Sequence, residues 1–152
     1  MSNVNYVFET EGSIIRYRYP THINDLVIPR ESSTCAEVFM VLLNKNEAPP
    51  LHKHDDTEQV FYMIHGEGLL EICPAKDVEG EKFQIHAGQV VRIPPKTWHR
   101  VTALNDDGVK YLCVDCFPDG FDPNEPTWDD HVRIMSDNYG WNFNEIKQDN
   151  RK

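Results

Sequence analysis

The chain is 152 residues long and carries fifteen basic against twenty-five acidic side chains, a formal charge of −10. That length suffices for a single domain with its own apolar core and no disulfide staples, and the negative balance opposes nucleic-acid phosphates and anionic membrane surfaces alike. No apolar run approaches the roughly 20 residues that cross a bilayer, and the opening Met1-Ser-Asn-Val-Asn5 lacks the basic-then-apolar build of a signal peptide, so a soluble cytoplasmic protein with no nucleic-acid or membrane partner is expected.

In chain order, short runs rich in β-branched, aromatic and apolar residues predict strands at Ile14–Tyr19, Glu37–Leu43, Gln59–His65, Leu69–Cys73, Lys82–His86, Gln89–Ile93, His99–Ala103 and Lys110–Phe117. Turn chemistry separates them: Asn44-Lys-Asn46, Gly66-Glu-Gly68, Glu79-Gly80, Ala87-Gly88, Pro94-Pro95 and Asn105-Asp-Asp-Gly108. Even spacing of short strands points to an all-β sandwich or barrel, here one domain over 1–152 with a core barrel at about 36–117 between an N-terminal region 1–35 and a C-terminal extension 118–152. From Pro118 the composition shifts to Pro, Asp and Asn, and Thr127-Trp-Asp-Asp130 predicts one short helix capped by Thr127. Trp128, Trp141 and Phe143 are expected to anchor this extension on the barrel, and Trp98 to pack between strands.

Four cysteines, Cys35, Cys73, Cys113 and Cys116, are too few and too scattered for a disulfide framework. Cys113-Val-Asp-Cys116 has the spacing of a zinc knuckle but lies within a predicted strand, where residues three apart face opposite ways, so structural cysteines are expected.

The chemistry centres on His52-Lys53-His54, on Glu58-Gln59 just beyond it, and on His99 some forty residues later. On an extended strand, side chains at i and i+2 share a face, so His52 and His54 could take adjacent positions on one metal ion. The alternative, two solvated surface histidines, is set aside by the residues around them. His52-x-His54, then the acidic or amide pair Glu58-Gln59, then Gly66, matches the first motif of the cupin superfamily. Gly88, five residues, Pro94-Pro95-Lys96, two residues, His99 and then Ala103 matches the second at the right separation. The likeness covers roughly Ala48 to Ala103 and departs from the pattern at Lys96, where a turn glycine is usual, and at Ala103, where asparagine is usual. Neither position is a ligand.

The chain is thus similar to a small single-domain cupin, and the resemblance implies a double-stranded β-helix, a jelly-roll barrel holding a mononuclear centre. By the motifs, His52, His54 and His99 hold one divalent transition metal together with Gln59, or with Glu58 if the strand sits in the other register. Gln59 is preferred because it then shares the inward face with Phe61 and Met63. The mixed nitrogen and oxygen set suits Fe2+, the leading expectation, and also Ni, Co, Mn, Zn or Cu. Open coordination positions would allow dioxygenase-type or isomerase or lyase chemistry on a small polar or anionic molecule; the alternative is a cupin that binds or senses a small ligand without turning it over. His65 falls on the Gln59 face in this register, either as a proton shuttle near the rim or as a turn residue preceding Gly66. If Val90 points inward, Arg92 shares its face and could clamp a substrate carboxylate or phosphate; the alternative is a solvated, outward Arg92. Tyr62 should face outward, and His86 belongs to a turn. Cupin barrels commonly pair, which implies a homodimer through the edge strand near Ile14–Tyr19.

Overall fold

Along β9, Val109–Cys116, buried and half-buried residues alternate strictly: Val109, Tyr111, Cys113 and Asp115 face in, while Lys110, Leu112, Val114 and Cys116 are half-buried. This period of two, repeated on neighbouring strands, closes one apolar interior between two sheets. The computed structural model describes residues 5–151. Its strands are β1 Ile15–Arg18, β2 Ile23–Ile28, β3 Ala36–Leu43, β4 Glu58–His65, β5 Glu67–Cys73, β6 Glu81–His86, β7 Val90–Ile93, β8 Trp98–Ala103, β9 and a short β10 Lys147–Asp149. The helices are α1 Trp128–Tyr139 and the single-turn α2 Phe143–Ile146, and a 3-10 turn covers Arg30–Ser32.

A seven-stranded sheet runs β10-β1-β2-β3-β9-β4-β7 and faces a three-stranded sheet β6-β5-β8, with every pairing antiparallel. Phe61, Met63, Val91, Ile93, Tyr111 and Cys113 from the larger sheet meet Leu70, Ile85, Val101 and Ala103 from the smaller in a shared core. The all-β jelly-roll expectation therefore stands. Gly66 makes the tight turn between β4 and β5 at φ +89°, where a Cβ would stand 2.4 Å from the carbonyl oxygen of Gly108. Lys96, where glycine is usual, is itself left-handed at φ +64°. Its amide donates to the His54 carbonyl at 2.7 Å, so the turn is held by a backbone bond that any residue can make.

α1 begins as its sequence predicts. The Thr127 hydroxyl accepts from the Asp130 amide and the Asp130 carboxylate accepts from the Thr127 amide, forming a capping box. Trp128, 2% exposed, drives its ring between Tyr17 and Phe39, with ring centroids 6.0 and 5.0 Å away. The helix thereby lies across one end of the barrel. Trp141 packs against Tyr19, and Phe143 lies under the Arg133 guanidinium at 3.9 Å.

Two expectations change. β1 is not an edge strand, because β10 pairs with it from Ile15 to Tyr17, so the edge expected to join two copies is covered by the chain's own C-terminal strand. Strand β2 has no counterpart in the sequence reading: Asn24 and Asp25 interrupt its apolar run, and burial of both, with Asp25 paired to Arg16 at 2.7 Å, makes the strand possible.

Candidate metal centre

His52 and His54 lie on the extended segment before β4, and His99 lies in β8. An isolated antiparallel bridge joins the two segments: the His99 amide donates to the His52 carbonyl at 2.9 Å and the His52 amide to the His99 carbonyl at 3.2 Å. That bridge brings together imidazoles separated by some forty-five residues. Ring centroids are 4.9 Å apart for His52 and His54, 4.4 Å for His52 and His99, and 5.8 Å for His54 and His99. One nitrogen from each ring lies within 4.8 Å of the other two, a separation that a single ion can bridge.

Two of the rings are fixed in the tautomer a metal requires. His52 Nδ1 lies 2.7 Å from the Pro50 carbonyl oxygen and His99 Nδ1 lies 2.9 Å from that of Thr97, and since a carbonyl only accepts, each Nδ1 carries the proton. The Nε2 lone pairs are left free. His99 Nε2 is buried with no hydrogen-bond partner, an orphaned acceptor in a polar cluster. Burial comes first in pushing the pKa values down, to about 4 for His52, about 3 for His54 and about 3 for His99, with repulsion from the neighbouring imidazoles adding to it. All three are neutral at pH 7, the form that ligates. Three neutral imidazoles, each with a ring nitrogen within 4.8 Å of the other two, fit a divalent metal ion.

Register places Gln59, and not Glu58, on the inward face. Gln59, Phe61 and Met63 are buried, while Tyr62 is exposed and Glu58 directs its carboxylate outward to an ion pair with Arg92. Gln59 is 8% exposed and lines the cavity together with the three histidines. The cavity measures about 290 Å³. Its walls carry Phe39, Phe61 and Tyr111 from the barrel and Trp128, Tyr139 and Trp141 from the C-terminal extension.

The two residues expected to act on substrate lie elsewhere. Arg92 is exposed, since Val91 and Ile93 take the inward positions of β7 and leave Val90 and Arg92 outside. Two consecutive valines leave the phase of this strand open in the sequence. His65 falls where β4 shifts register against β9, between Met63 and His65; the slip turns it out to Asp107, 3.0 Å away on the surface. Cys113 is buried and Cys116 half-buried on the opposite face, so the two do not converge, and the cysteines are free.

The cavity presents polar groups that the sequence reading passed over. Asp115 on β9 accepts from Gln59 Nε2 at 2.8 Å. His131 on α1 has its Nδ1 2.7 Å from a carboxylate oxygen of Glu125, and both residues line the chamber opposite the barrel wall. His22 and Asn24 of the β1–β2 corner complete the lining, with the Asn24 side-chain oxygen unpartnered. An aspartate at an inward position of an apolar strand was the one signal available for Asp115; the others depend on how the extension folds back.

Fold and site together define a double-stranded β-helix with a three-imidazole cluster at its open end. The Cupin domain model matches residues 39–115, just over half of the chain, and the protein belongs to the cupin family. An uncharacterised protein of Methanocaldococcus jannaschii is 35% identical over 63 residues, 41% of this chain. The match spans 46% of that relative, less than half of its length. Among solved structures, the fold resembles oxalate decarboxylase from Bacillus subtilis, with TM-score 0.63 and 17% identity over 95% of this chain and 40% of that one. It also resembles KdgF from Halomonas sp., with TM-score 0.54 and 19% identity over 78% of this chain and 94% of that one. At such identities the likeness concerns the fold.

Proposed function

We propose that this cupin is a metal-dependent enzyme acting on a small oxygen-bearing molecule, with His52, His54, Gln59 and His99 holding one divalent transition metal. The observation that carries the reading is the set of three neutral imidazoles, two locked by carbonyls, with one ring nitrogen of each within 4.8 Å of the other two on the wall of a cavity. Three nitrogens and a neutral oxygen suit Fe2+, Mn2+, Co2+, Ni2+, Zn2+ or Cu2+, and the structurally similar oxalate decarboxylase of Bacillus subtilis is a protein with Mn(II) centres. A metal ion with open positions would polarise a carbonyl or enediol, activate water, or engage dioxygen.

The chain's own groups supply the rest. Phe39, Phe61 and Trp128 give the chamber an apolar wall beside the imidazoles. The His131–Glu125 pair gives a base oriented by a carboxylate, within a chamber that a substrate bound to the centre would share. Among the described residues, Lys53 on the lining is tied to Asp55 at 2.9 Å and Arg92 lies outside, and the metal would anchor a substrate oxygen. Dioxygenase-type and isomerase or lyase chemistry are the two reaction classes this supports.

Metal-loaded protein incubated with pooled small metabolites, in air and without oxygen, tests the reading. Metal-dependent consumption of a compound, abolished in His99→Ala, is the expected result, and oxygen uptake separates the two classes. A compound that binds the metal-loaded protein yet is recovered unchanged in both atmospheres would overturn the enzyme reading in favour of a binding cupin.

A further inference from the structure

The geometry points to Asp115 as a positioning residue that fixes the amide of Gln59 so that its oxygen, not its nitrogen, faces the three imidazoles. This rests on the metal-centre reading above and goes beyond it to the orientation of the fourth donor.

An amide side chain presents two faces that differ by a half-turn: an acceptor oxygen and a donor NH2. Only the oxygen ligates a divalent ion well, so an amide ligand free to rotate spends part of its time turned the wrong way. Gln59 is not free. It pairs directly across the ladder with Asp115, and its Nε2 donates to Asp115 Oδ1 at 2.8 Å. The reverse orientation would set an amide oxygen against a carboxylate oxygen. The thiol of Cys113 points at the same Oδ1 at 3.7 Å, so this atom is already placed as an acceptor. The Gln59 oxygen itself has no hydrogen bond among the described residues and borders the chamber that the histidines line.

Asp115 is in turn held. On its other side it pairs across the ladder with Glu37, whose carboxylate receives two bonds from Arg30 at 2.8 and 3.2 Å. Arg30, Glu37, Asp115 and Gln59 thus form one transverse row of buried polar groups across β3, β9 and β4, ending at the metal centre. Such outer partners orient ligands and commonly change metal affinity by about 10–100-fold when removed. The row ends on a neutral donor, so the centre keeps the full charge of its ion and the nearest carboxylate stands one bond behind.

Co2+ titration of metal-free protein, followed by visible absorption, is the test, in a double-mutant cycle of Asp115→Ala and Gln59→Ala. Asp115→Ala should lose about 10–100-fold in Co2+ affinity, Gln59→Ala at least as much, and the double variant no more than Gln59→Ala alone, since the aspartate acts only through the amide. Asp115→Asn, which can turn its own oxygen to the Gln59 NH2, should recover most of the affinity. Losses that simply add, or wild-type affinity in Asp115→Ala, would overturn the proposal. Failure of the wild-type chain to bind Co2+ at all would instead overturn the metal reading beneath it. A measurement on the wild-type chain keeps the proposal falsifiable should Asp115→Ala not fold. On Zn2+ titration followed by side-chain amide NMR, the Gln59 NH2 protons should stay protected while its carbonyl carbon shifts, and loss of that protection on metal addition would refute the orientation.

Discussion

Arg30→Met removes the cation from the far end of the buried polar row, and its cost can be worked from the structure. Arg30 and Glu37 are 2% and 1% exposed, and two hydrogen bonds of 2.8 and 3.2 Å join them. The guanidinium also donates to the Glu125 carbonyl at 2.9 Å and lies 5.1 Å from the Phe117 ring centroid. Methionine keeps much of the volume but leaves the Glu37 carboxylate buried beside Asp115 without its partner. Breaking a buried pair this way costs about 3–5 kcal/mol, which in a chain of this size lowers the melting midpoint by roughly 6–20 °C. The pH dependence has a definite sign. Burial first, and then Asp115, push Glu37 up to about 7 from an ordinary 4.5. An acid whose folded pKa is raised contributes stability below its unfolded pKa and loses it as pH rises through the folded value. Removing Arg30 takes away a group that favours the charged form, so the deficit of the variant should be smallest near pH 5 and grow toward pH 8. Urea unfolding of both proteins across that range measures it. A loss below about 1 kcal/mol at pH 8, no more than a surface ion pair is worth, or a deficit larger at pH 5 than at pH 8, would refute the reasoning.

Because burial holds the pKa values of His52, His54 and His99 at about 4, 3 and 3, protons should compete with a metal only below about pH 4. Zn2+ affinity measured calorimetrically should stay level from pH 7 to pH 5, with no proton release in buffers of different ionisation heat; a loss of about tenfold per pH unit for each imidazole, starting near pH 6.5, would show ordinary histidines. Glu58→Ala and Arg92→Ala remove an outward ion pair and should change stability by less than about 1 kcal/mol and leave Co2+ affinity intact, whereas Gln59→Ala should weaken it. The reverse ranking of Glu58 and Gln59 would contradict the observed register.

Where the physics is local or strictly periodic, the sequence was legible. Strands β3 to β9 fall within two residues of their predicted limits because each is an apolar run between turn residues, and Gln59, Phe61 and Met63 share a buried face as the alternation counted back from Gly66 requires. Thr127 caps α1 because the capping box is a four-residue signal. The failures have physical causes as well. The β4 bulge turns His65 outward after five residues of regular alternation, and bulges carry no sequence mark when no glycine is needed. Val90-Val91 reads equally well in either phase, and the choice that buries Val91 and Ile93 sends Arg92 outside. β10 exists through tertiary pairing, since Lys147-Gln-Asp149 has little strand propensity, and in β2 Asn24 and Asp25 break the otherwise strand-forming run of Ile23, Leu26, Val27 and Ile28. His131 and Glu125 reach the chamber only because Trp128 docks the extension between Tyr17 and Phe39, a packing event that no short motif encodes.

His52, His54 and His99 are proposed to form one metal site. Counting the metal bound by chains purified without added chelator, and by metal-free chains reloaded with Co2+, tests it most directly. One ion per wild-type chain, and far less than one in His52→Ala and His99→Ala variants that melt as cooperatively as the wild type, is the predicted result. An unchanged metal content in those variants, or a wild-type chain that stays empty at saturating Co2+, would contradict it.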